Sequence, residues 1–110
     1  MIKIHRKPLS VNEAYQGRRF RTPKYDLFKR DMNFLLPSDY KIPQPPYVIY
    51  FEFGLSSMSG DWDNCIKTAQ DCISDKYGFN DKLIKRGVVD VVNVAKGHEY
   101  ISFKIETLLK

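Results

Sequence analysis

Only two cysteines and two histidines occur in the 110 residues, and that scarcity removes whole classes of function. Cys65 and Cys72 stand seven apart in a helical pattern. Two turns separate their Cα atoms by about 10 Å, beyond the roughly 7 Å that a disulfide tolerates, so both are expected as reduced thiols. With no CxxC and only His5 and His98 beside them, a zinc site lacks ligands. No apolar run approaches a membrane span, and the opening MIKIHRKP lacks the apolar core of a signal peptide. A soluble, cytoplasmic protein with no membrane partner is expected. There is no internal repeat, heptad run or low-complexity segment, which excludes solenoids and coiled coils. Negative charge is in deficit as well: 13 Asp and Glu against 18 Lys and Arg leave a net charge of +5. That balance favours a polyanionic partner without choosing among DNA, RNA and acidic surfaces.

What is present fits one domain, 1–110, with a modest buried fraction that leaves room for stabilisation by a partner subunit. Ile2 to His5 alternates and reads as a short strand ending at Pro8. Ser10 to Arg21 has no sustained period and reads as a basic loop, with Arg18, Arg19 and Arg21 as phosphate contacts and Tyr15 and Phe20 as stacking partners. Thr22-Pro23 is a cap followed by proline at the first helical position. From it Tyr25, Phe28, Met32, Leu35 and Leu36 form a core stripe ending before Pro37, while Lys24 extends the basic arm.

The proline-rich Pro37 to Pro46 is an extended connector. Tyr47, Ile49, Phe51, Phe53 and Leu55 then alternate with more polar residues, which predicts a strand under the helices with one wholly apolar face. Valine-rich Val88 to Ala95 and alternating His98 to Glu106 flank a Lys96-Gly97 turn and are expected to form an antiparallel hairpin. The element order β, α, β, α, β, β predicts a small α+β domain, one mixed or antiparallel sheet with two helices packed on it.

The most informative stretch is Gly60 to Ile84, GDWDNCIKTAQDCISDKYGFNDKLI. Asp63 or Asn64 is expected to cap a helix whose stripe is Ile66, Ala69, Ile73 and Tyr77, with Gly78 as its stop. Asp63, Lys67 and Asp71, spaced by four, share a second face of it. Asp61 and Asp63 flank a single residue, and Asp81 returns just past the helix. Hard Mg²⁺ takes carboxylate oxygens, water and substrate phosphate, and a neighbouring lysine offsets charge on a phosphoryl group. By spacing alone, the same residues also suit an ordinary solvated face with an acid at the positive end of the helix dipole.

Asp61-x-Asp63-Asn64-x-x-Lys67, then Asp71, then Asp81-x-x-Ile84, resembles the RusA family of Holliday junction resolvases. The N-terminal segment, with Pro8-Leu9-Ser10-Val11-Asn12, Tyr15 and the basic loop through Thr22, fits the same family, so the resemblance covers nearly the whole chain. The resemblance implies that Asp61, Asp63 and Asp81 are catalytic acids holding Mg²⁺ and that Lys67 is the catalytic lysine. It implies an endodeoxyribonuclease that resolves four-way DNA junctions by paired symmetric nicks in recombination and repair, acting as a homodimer. Two departures stand out: Ser56-Ser57-Met58-Ser59-Gly60 replaces a basic cluster, and Asn80-Asp81 replaces paired acids. Lys82, Lys85 and Arg86 are expected to line the approach of nucleic acid. The alternative is a non-catalytic, branched-DNA-binding accessory protein whose acids only cap a helix.

Overall fold

The computed structural model describes residues 1–17 and 20–109. Its elements are β1 (Ile2–Ile4), α1 (Val11–Ala14), β2 (Tyr15–Gln16), β3 (Phe20–Arg21), α2 (Pro23–Leu35), β4 (Tyr47–Leu55), α3 (Ile66–Tyr77), β5 (Ile84–Asn93) and β6 (Tyr100–Thr107), with a 3₁₀ turn at Asp81–Leu83. The fold is α+β: a mixed four-stranded sheet in the order β1-β6-β4-β5, with the two long helices on one face.

Local chemistry sets the helix boundaries. Thr22 caps α2 by accepting the Tyr25 N–H, and Pro23 opens its first turn. Gly78 ends α3 in the left-handed region at φ 70°, where a Cβ is disfavoured. The buried residues of α2 are Tyr25, Phe28 and Met32, and those of α3 include Ala69, Cys72 and Ile73. They pack on Ile49, Phe51 and Phe53 of β4 and on Ile101, Phe103 and Ile105 of β6. The stripes read from spacing are therefore largely the core, although Leu35 near the end of the α2 stripe is 41% exposed and Ile66 and Tyr77 at the ends of the α3 stripe are only partly buried.

Two expectations are corrected. The segment from Ser10 is not an irregular loop: Ser10 and Glu13 form a capping box that starts α1, and β2 pairs with β3 as a two-residue ladder. More consequentially, β5 and β6 do not form a hairpin. The Lys96-Gly97 turn is present, with His98 N–H donating to Ala95 O at 2.9 Å, but the strands on either side of it flank β4. β5 pairs with β4 in parallel and β6 pairs with β4 antiparallel. Residues 94–99 need only bridge one strand, about 10 Å. The physical reason lies in β4, whose apolar residues need neighbours on both sides.

On the sheet face away from the helices, Gly54 is where a ring must fit. The Tyr100 ring lies over it, so a Cβ there would meet ring carbons at 2.4 Å. Tyr100 is held in place by its hydroxyl, which donates to Glu52 at 2.6 Å, and by Lys3 Nζ, 4.0 Å from the ring centroid. Gly54→Ala is expected to destabilise the fold by roughly 1–3 kcal/mol through overpacking. Urea unfolding would read this as a lower midpoint, and Gly54→Ala in a Tyr100→Ala background should cost much less, because the clashing ring is gone.

Candidate active site

Residues 61–65 form a run of tight turns between the central strand and its crossover helix. Asn64 N–H donates to Asp61 O at 3.2 Å and Ile66 N–H donates to Asp63 O at 3.3 Å. The turn is held from the side as well. Val11 N–H donates to Asn64 O at 2.9 Å, and the fully buried Thr68 hydroxyl donates to Leu9 O at 2.6 Å. The Pro8-Leu9-Ser10-Val11-Asn12 and Asp61-Trp62-Asp63-Asn64 motifs, half the chain apart in sequence, are thus one structural unit.

The helix begins later than expected. Cys65, not Asp63 or Asn64, occupies the N-cap position, and no side chain caps it. Asp61 and Asp63 are consequently exposed carboxylates that the cap does not consume. Lys67, one turn into the crossover, pairs with Asp71 at 3.4 Å while remaining mostly exposed. Asp71 also accepts the Tyr25 hydroxyl at 3.3 Å. Burial, and then the negative charge of Asp71, push the Tyr25 phenol well up from its ordinary value. Asp71 therefore orients Lys67 and joins α3 to α2.

Asp81 stands apart from the other two aspartates. It opens the 3₁₀ turn after α3, and the twelve residues of that helix span about 18 Å. Among the described residues no three His, Cys, Asp or Glu side chains gather into a set that closes round a metal ion. Within one chain the structure brings together Asp61, Asp63 and Lys67 at the head of α3 and leaves Asp81 beyond its foot. The Asp61–Asp63 pair by itself suits a hydrated Mg²⁺, which is held by one or two carboxylates and completes its shell with water and phosphate.

The expected nucleic-acid-binding residues divide into three groups. Arg18 and Arg19 lie outside the described residues. Arg21 forms an ion pair with Asp26, whose carboxylate raises its pKa further, and Lys24 approaches Glu13 at 3.8 Å. These pairs are exposed and contribute little. Lys82, Lys85 and Arg86 are exposed and have no acidic partner among the described residues. Tyr15 packs edge-on against Tyr25 with centroids 5.4 Å apart, so it is part of the core margin, whereas Phe20 is exposed.

Two side chains outside the acidic motif's expected ligands, Glu13 and Trp62, also border the site. Glu13 shares a cavity of about 200 Å³ with Ser10, Ser59, Gly60, Asp61 and Asn64; its signal in the sequence is the Ser10-x-x-Glu13 capping box. Trp62, 64% exposed between the two aspartates, lines a second cavity of about 340 Å³ with Lys85, Arg86 and Gly87. No protein-family model matches this chain, and no curated protein matches it.

The thiols near the site are protected. Burial raises Cys65 to about 11 and Cys72 to about 12, from an ordinary value near 9. Tyr77, whose hydroxyl donates to Pro37 O at 2.6 Å, is pushed up to about 12, chiefly by burial. In each group the fold favours the protonated form. Stability from this source is complete below pH 9 and falls as the unfolded chain ionises first, between about pH 9 and 12. Urea midpoints measured from pH 7 to 11 should therefore be flat and then decline above pH 9. Alkylation of the native thiols at pH 8 should be much slower than in urea.

Proposed function

We propose that this protein is a Mg²⁺-dependent endodeoxyribonuclease acting on branched DNA, the four-way Holliday junction in particular. The observation that carries this reading is the turn at the head of α3, which presents two exposed carboxylates, Asp61 and Asp63, with Lys67 on the following helical turn. The DxDNxxK pattern of the RusA family falls on the same residues. When bound at Asp61 and Asp63, Mg²⁺ supplies Lewis-acid polarisation of a phosphodiester and a more acidic water. Lys67, oriented by Asp71, offsets charge developing on the phosphoryl group. Lys82, Lys85 and Arg86 attract the backbone, joined by the basic loop around Arg21 and Lys24.

Two copies complete this reading. β5 is an edge strand ten residues long, paired among the described residues only with β4. Antiparallel pairing of two β5 edges about a twofold axis sets the Ile84 end of one strand beside the Asn93 end of the other. Leu55 of β4 pairs with Asn93 of the same chain, so Asp81 of each copy falls at the sheet end from which the other copy's Ser56–Asp61 segment departs. The homodimer thereby supplies the third carboxylate and the two symmetric sites that paired nicks require.

The test uses an end-labelled synthetic four-way junction incubated with the protein in Mg²⁺ and in EDTA. Paired symmetric nicks are expected in Mg²⁺ only. Asp63→Asn should lower the cleavage rate more than about 100-fold, since even outer partners of metal ligands are worth roughly 10–100-fold. Lys67→Ala should lower it about 100- to 1,000-fold with little change in junction affinity. Tight junction binding without cleavage in Mg²⁺ or Mn²⁺ would leave a DNA-binding accessory protein instead.

A further inference from the structure

We propose that the groove beneath Trp62 binds an unpaired nucleobase of a single-stranded nucleic acid segment. This rests on the reading of the protein as one that engages nucleic acid, and it is independent of whether the strand is cut. Trp62 is held on the tight turn at the head of α3, and no aromatic ring of the described residues stacks on it. Trp62 is 64% exposed and lines the cavity, so its ring is open to a ligand seated there.

The groove runs between α3 and β5. Its apolar walls are Ile49, Phe51, Ile66, Ile84 and Val89, and its volume of about 340 Å³ lies in the range of small-ligand clefts. Gly87 keeps it open: a Cβ at that position would meet no atom within 4 Å. Gln70 supplies one amide, able to donate to and accept from a base edge. Among the described residues, the only charged ones lining it are Lys85 and Arg86, and neither has an acidic partner there.

That combination selects the occupant. An aromatic plane, an apolar slot, one amide and two cations match a base with its phosphates, because every base has a π-face and every nucleotide an anionic link. A purely apolar partner leaves Lys85 and Arg86 without a counter-charge. Pairing of two copies through the β5 edge uses backbone groups, whereas the groove opens on the helical face.

Trp62 is the only tryptophan, so its fluorescence reports on the groove directly. The wild-type protein in EDTA is titrated with an oligothymidylate and with an abasic deoxyribose-phosphate strand of equal length. Saturable quenching by the oligothymidylate and none by the abasic strand is expected. Gly87→Val fills the groove with a residue suited to a strand. It should abolish the quenching and weaken oligothymidylate binding about tenfold, with an unchanged circular dichroism spectrum. Trp62→Ala, followed by anisotropy of labelled DNA, should weaken binding similarly and Trp62→Phe less. Equal quenching by the abasic strand, or wild-type affinity in both Gly87→Val and Trp62→Ala, overturns the proposal. So does a loss of self-association in these variants with DNA affinity unchanged, which assigns the groove to a second copy. Failure of junction cleavage in Mg²⁺ leaves all of these readings intact.

Discussion

The parallel pairing of β4 with β5 is the constraint from which most of this structure follows. A parallel neighbour cannot be reached by a tight turn, so the chain must cross over the sheet between Leu55 and Ile84, and α3 is that crossover. Because the crossover runs the length of the strands, whatever precedes α3 lies at one end of the sheet and whatever follows it at the other. Asp61 and Asp63 precede it and Asp81 follows it. The same pairing makes β5 an edge and leaves a groove between that edge and the helix, roofed on one side by Trp62.

A second layer of constraint is local and keeps the Asp61–Asn64 turn from being merely a loop. The N-terminal segment supplies one N–H, from Val11, and one carbonyl, from Leu9, to the head of α3. Thr68 is buried and its hydroxyl also donates to Cys65 O at 3.2 Å, so its two contacts hold the first turn of α3 against the segment after β1. A turn anchored at both its backbone and its following helix presents Asp61, Trp62 and Asp63 with little freedom. That is the preorganisation an ion or a base demands, since ordering a flexible loop at the moment of binding costs affinity.

The charged surface follows a division of labour. Lys67 is committed to Asp71, and through Asp71 to Tyr25, while Arg21 lies 5.5 Å from the Tyr25 ring centroid, so one buried tyrosine coordinates the head of α2 with the middle of α3. Lys82, Lys85 and Arg86 take no such part among the described residues. Cations already satisfied within the fold shape the site, and those left over are available to an anionic partner.

Much of this was legible in the residues themselves. Periodicities of two and 3.6 located β4, α2 and α3, because burial of one face writes a repeat into the chain, and Thr22-Pro23 and Gly78 marked helix ends through local backbone chemistry. The Asp61-x-Asp63-Asn64-x-x-Lys67 spacing likewise marked the approach to a helix, but it placed Asp63 on the helix with Lys67 and Asp71, whereas Asp61 and Asp63 fall on the turn before it. Strand adjacency was not legible. A valine-rich strand, a Lys-Gly turn and an alternating strand look the same whether the strands pair with each other or with a third inserted between them, and only the need of β4 for two neighbours decides it. The start of α3 at Ile66 depended on hydrogen bonds from Val11 and to Leu9, partners more than fifty residues away. The separation of Asp81 from the other two aspartates, and the space left open by Gly87, likewise belong to the tertiary structure alone: sequence spacing records distance along the chain, and a crossover turns that into distance across the sheet.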